Sequence, residues 1–220
     1  MIGNDNPKND LGKGGPIIAG GGGHGGDLRN SWCKGQEDHA PTGGGGASYQ
    51  VAGGTGSNNN NPGSAAYGDA KMKTFFLGSG GGGGSAYRHS SGAGYGGYGG
   101  TGGGAIMIFA NKFHMSPTAQ IDMGGSDGTS MNMHGGAGGG GSGGSVFIQC
   151  GAQCDVEAYQ VRASGGQAGA KFYANAFGGA GSPGRVRVAK ATRKTICVND
   201  KNDDWACEAF DSKDDYCKDI

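Results

Sequence analysis

The chain has 220 residues, of which 54 are glycine, about a quarter against the usual ~7%. Leu, Ile, Val and Phe together fill only about 12% of positions, and 18 basic side chains cancel 18 acidic ones. These values exclude an ordinary helical or α/β domain, a helical membrane span and a polybasic nucleic-acid binder, and they argue against an enzyme. Apolar content this low marks a disordered chain when strong net charge accompanies it, and here the charge is nil. Glycine follows no strict three-residue period and proline occurs only six times, so a collagen triple helix fails as well. What remains is a folded protein whose building material is glycine backbone.

The N-terminus turns polar at once (Met1-Ile2-Gly3-Asn4-Asp5) and shows no secretory apolar stretch. Cys33, Cys150, Cys154, Cys197, Cys207 and Cys217 form an even set in a chain with a poor core. That favours disulfides and an extracellular setting; the other reading is reduced thiols in a cytosolic or viral product.

Taken in chain order, runs of small residues lead into short apolar stretches. Gly43–Gly46 precedes Ala47-Ser48-Tyr49-Gln50-Val51, and Gly80–Gly84 precedes Ser85-Ala86-Tyr87. Gly102–Gly104 leads into Ala105–Ala110, Gly135–Gly144 into Ser145–Gln149, and Gly178–Gly184 into Arg185–Val188. The stretches are β-branched or aromatic, four to eight residues long, and lack a 3.6-residue stripe, so they predict strands. Two strands are expected around a turn at Ser116-Pro117-Thr118, and another over 156–163. The units recur at an irregular spacing of roughly twenty to forty residues, in the range of solenoids or layered repeats.

A lone glycine segment stays disordered, because ordering each residue costs about 1–2 kcal/mol and a hydrogen bond returns about 1 kcal/mol. In the extended threefold helix, however, N–H and C=O groups point outward, and without side chains neighbouring helices can bond in several directions. The expected fold class is therefore all-β or irregular: packed polyglycine-II helices alternating with short strands, with almost no α-helix. The competing reading of each run is a flexible linker.

The runs Gly20–Gly26, Gly43–Gly46, Gly80–Gly84 and Gly135–Gly144, alternating with variable loops, resemble proteins built from packed polyglycine-II helices. Such proteins include T-even phage tail-fibre adhesins, the glycine-rich domain of anaplastic lymphoma kinase receptors and springtail antifreeze proteins. The likeness spans about residues 12–188 and is compositional; the phage attachment region, a kinase, a membrane span and the antifreeze Gly-x-x period have no counterpart. It implies a rigid, non-catalytic scaffold displaying loops, expected at 27–42, 56–73 and 85–100.

The end of the chain differs. Residues 185–194 carry five bases and no acid, whereas 196–220 carry a net −5 with cysteines every ten residues. The expected division is a glycine-rich domain over 1–195 and a small acidic, disulfide-linked cap over 196–220. The two charge blocks are either solvated faces or a head-to-tail contact that builds rings or filaments.

Motifs that carry chemistry are weak. Gly140-Gly141-Ser142-Gly143-Gly144 fits a nucleophile pattern by chance inside a glycine run, and no cofactor signature is present. Asp200, Asn202, Asp204 and Asp211 have partial calcium-loop spacing, but Trp205 stands where the loop needs glycine. Cys150 and Cys154 suit a local disulfide better than zinc, since no second pair matches them. Tyr87, Tyr95 and Tyr98 are the binding candidates, because exposed tyrosine suits saccharide or protein surfaces; the competing reading is that these rings cover the glycine bundle, since little else can. The sequence thus leads to a non-enzymatic, extracellular, self-assembling fibre or surface-layer subunit without a cofactor. The alternative is an adhesin or receptor-binding module.

Overall fold

A computed structural model describes residues 42–57, 61–85, 87–89, 92–131, 135–170, 176–190, 195–199 and 205–209. Over 87–94 and beyond 189 it describes backbone alone. The described residues form sheets and extended runs, with a complete 3-10 turn at Ala158–Gln160. No helix among them is long and apolar enough to cross a membrane.

Nine strands occur. Tyr87–His89 (β1) and Gly92–Gly94 (β2) form an antiparallel ribbon. Ala105–His114 (β3), Ser145–Asp155 (β5) and Arg185–Lys190 (β7) lie parallel, and Ile121–Asp122 (β4) pairs in parallel with Val161–Arg162 (β6). Thr195–Asn199 (β8) and Trp205–Ala209 (β9) extend the large sheet antiparallel, giving the order β3-β5-β7-β8-β9.

The registers correct the irregular spacing read from the sequence. Ala105 pairs with Ser145 and Ser145 with Arg185, while Ile121 pairs with Val161, each step being forty residues. One repeat is an ascending glycine run, a long strand, a turn, a two-residue strand and a descending run. Two further expectations are corrected. Residues 156–163 are not one strand, because the 3-10 turn at Ala158–Gln160 interrupts them before β6. The Gln160 side chain closes that turn by accepting from Glu157 N–H and donating to the Ser116 carbonyl. Tyr49-Gln50-Val51 is not a strand either, but a bend that Tyr49 anchors in the interior.

The glycine runs are hydrogen-bonded to one another in a threefold alternation. From Gly136 to Gly144 every N–H donates, at 2.8–3.0 Å. Gly136, Gly139 and Ser142 donate to Ser85, Gly82 and Ser79; Ala137, Gly140 and Gly143 to Ala176, Gly179 and Ser182; Gly138, Gly141 and Gly144 to Thr129, Ser126 and Met123. The carbonyls from Gly136 through Ser142 accept, in order, from Gly97, Gly44, Gly169, Gly100, Ala47, Gly166 and Gly103. Six runs thus surround the central one, and bonds such as Gly81 to Gly100, Ser126 to Thr101 and Gly179 to Gly44 close the ring. Buried backbone groups are thereby paired without regular secondary structure, as burial requires.

Side chains form two small clusters beside this network. Val146, Ile148, Cys150, Cys154, Val161, Ala163, Val186 and Met115 pack under one sheet face, and Cys150 and Cys154 are joined by a disulfide. The other cluster centres on Tyr49, fully buried, stacked on Tyr67 at 4.6 Å and flanked edge-on by Phe76. Its hydroxyl bonds Ser145 Oγ at 2.5 Å, and Arg185 lies over its ring while donating to the Tyr67 carbonyl. Gly68, at φ +68°, turns the chain beneath these rings, where a Cβ would sit 3.2 Å from the Tyr49 ring.

Burial pushes the Tyr49 phenol above its ordinary value, and the Ser145 hydrogen bond and Arg185 only partly offset that rise. The unfolded phenol ionises near pH ~10, so stability is complete below that pH and falls as pH rises towards the folded value. We expect urea midpoints to fall as the pH rises above about 10, and the fall to be smaller in Tyr49→Phe.

Candidate surface site

The ascending run 95–104 lies at one side of the bundle, and its carbonyls at Tyr98 and Thr101 accept from Thr129 and Ser126 of a descending run. This pairing lines up side chains three residues apart. Tyr95 is 78% exposed and Tyr98 70%, and Thr101, Ser126 and Thr129 are exposed beside them. Tyrosine here covers little, because the run behind it is glycine and packs by backbone alone. Thr101 N–H donates to Ser126 Oγ at 2.7 Å, and the two hydroxyls are 3.0 Å apart, which fixes this part of the face.

Past Thr101 the surface opens into a shallow polar groove of about 440 Å³, floored by Gly124, Gly125 and Gly165. Asp122, Asp127, Arg162 and Gln167 line it together with Ser126 and Ser164. Two of its carboxylates already serve the backbone: Asp122 accepts from Gly124 N–H at 2.8 Å, and Asp127 from Gln167 N–H at 2.6 Å. The groove therefore presents hydroxyl, amide, carboxylate and guanidinium groups at fixed positions, next to two exposed aromatic rings. That is a surface for hydrogen-bonding a polar partner.

The residues expected from the sequence distribute as follows. Tyr95 and Tyr98 share the exposed face, whereas Tyr87 is placed by its backbone in β1 and its side chain lies outside the described residues. Ser142 of the chance nucleophile motif is fully buried and accepts from Ser79 N–H, which makes it part of the packing. Asp200, Asn202, Asp204 and Asp211 lie outside the described residues, as do Cys33 and Cys217; among those described, no three potential metal ligands come together. Cys197 and Cys207 stand opposite each other in the β8–β9 register. The boundary expected between 195 and 196 falls inside β8, which is bonded edge-on to the sheet of the main body.

Sequence reading missed the groove. Its signal was the forty-residue offset, which sets Asp122 against Arg162, Ser126 against Gly166 and Asp127 against Gln167. No family model, curated protein or solved structure matches the chain.

Proposed function

We propose that this protein is a non-enzymatic extracellular display scaffold, in which packed polyglycine-II helices hold a tyrosine-and-hydroxyl face against a saccharide or protein surface. The observation that carries this reading is the central run 136–144, whose N–H groups and carbonyls are shared among six neighbours in a three-residue alternation. A threefold extended helix has that symmetry, and such a lattice is stiff because no run can shift without breaking bonds on several sides. A stiff lattice suits recognition, since exposed groups held in place lose little freedom on binding. The described ends Thr42, Ser85, Tyr95, Met131, Ala170 and Ala176 also converge at the end of the bundle away from the five-stranded sheet. The loop expected at 85–100 is instead the β1–β2 ribbon followed by the bundle run that begins at Tyr95, and 27–41 lies outside the described residues.

Tyr95→Ala and Tyr98→Ala test the face. We expect each to weaken binding to a glycan or cell-surface array about tenfold, the ~1–2 kcal/mol of an exposed aromatic anchor, with the melting temperature unchanged. Unaltered array binding in the double variant would remove the assignment.

A fibre or surface-layer subunit is the second reading, favoured by a different observation. Met107 and Phe109 are exposed on the outer face of β3, and among the described residues no strand pairs with the outer edge of β3. Open edges of this kind are templates for another chain. The head-to-tail charge contact supports it less, because basic β7 lies in the same sheet as β8 and β9 from the acidic segment. Sedimentation at neutral pH separates the two readings: discrete small species for the scaffold, open-ended polymers for the fibre.

A further inference from the structure

The parallel series of long strands stops at β7, whose outer edge would otherwise expose a row of unpaired backbone groups. The antiparallel hairpin β8–β9 covers that edge, and its register sets Cys197 directly opposite Cys207. Residues facing each other in an antiparallel pair share one face of the sheet, with Cα atoms about 4.5–5.5 Å apart. A disulfide spans Cα separations of about 4.4–6.8 Å. The neighbouring pairs Thr195–Ala209 through Asn199–Trp205 run without a shift, so the two cysteines are held in register from both sides.

We propose that Cys197 and Cys207 form a cross-strand disulfide that locks the hairpin as the terminal cap of the repeat. Formation joins the two sulfurs and releases two protons and two electrons, which an oxidising thiol–disulfide pool such as glutathione disulfide accepts. The bridge closes the acidic connection between β8 and β9 into a short loop. It also ties β9, at the end of the described sheet, to β8, the strand that covers the β7 edge, so that β8 keeps a partner on its outer side.

The sequence makes the test direct. Cleavage after Lys and Arg places Cys33 in 30–34, Cys150 with Cys154 in 113–162, Cys197 in 195–201, Cys207 in 202–213 and Cys217 in 214–218. The full chain is equilibrated in oxidising glutathione buffer, free thiols are alkylated, and the unreduced digest is mapped by mass. The expected product is 195–201 joined to 202–213; a join of either peptide to 30–34 or 214–218, or alkylation of both cysteines, overturns the pairing. Hydrogen exchange gives a second readout. Reduction is expected to speed exchange of the β8 amides at least tenfold with 136–144 unchanged, and β8 exchange indifferent to reduction would refute the capping role.

Discussion

Gly81→Ala should lower the melting temperature by about 6–12 °C, while Gly80→Ala, one residue away, should leave it within a degree or two. A Cβ on Gly81 would sit 2.1 Å from the Gly139 carbonyl oxygen and 2.5 Å from its carbon. Both belong to the central run, which is fixed by bonds to six neighbours and has no room to retreat. Relieving the overlap means parting two backbones and loosening the bonds that Gly81 and Gly139 make to Gly100 and Gly82. Overpacking together with weakened buried hydrogen bonds costs about 3 kcal/mol, and for a chain of this size each kcal/mol is worth about 2–4 °C. At Gly80 the nearest atom to a new Cβ is 3.5 Å away, an ordinary contact. The same contrast is expected between Gly84, 2.0 Å from the Gly136 oxygen, and Gly83, 3.4 Å from the Gly97 oxygen. A flexible linker would treat all four positions alike, so paired melting curves distinguish the two descriptions.

Tyr49→Ala should be the most damaging single substitution, costing about 3–5 kcal/mol by analogy with other buried aromatics. Tyr49 is the largest fully buried side chain, and its removal unstacks Tyr67, exposes an edge of Phe76 and leaves Arg185 over an empty space. Arg185 has burial working against its charge, so losing a favourable ring face compounds the loss. Tyr49→Phe keeps the rings and gives up only the Ser145 bond; because Ser145 Oγ still donates to the Phe76 carbonyl, the expected cost is about 1 kcal/mol. Chemical denaturation of the two variants measures the difference, and near-equal midpoints would show that the aromatic stack does not hold the 64–77 segment in place.

The class of architecture was legible because composition excludes so much: 54 glycines with few apolar residues leave little but backbone to build with. The strands after Gly104, Gly144 and Gly184 were legible from their β-branched residues. Their parallel partnership was not, since Ser145-Val-Phe-Ile and Arg185-Val-Arg-Val look unrelated until offset by forty residues. Local pattern also misled at 156–163, where alternation suggested a strand but Gln160 turns back to bond Ser116 and Glu157. The sequence left open whether Tyr95 and Tyr98 cover the bundle or face solvent, and the packing of the run by backbone alone leaves them exposed. The adjoining groove could not, because Thr101, Ser126 and Gln167 come from three runs that only the bundle brings together.

Amide hydrogen exchange of the segment 136–144 tests the central claim most directly. If packed polyglycine helices are the solid of this protein, all of those amides should exchange only through global unfolding, at one common rate. Exchange of those glycines at the rate of free peptide, with protection confined to β3, β5 and β7, would contradict the account.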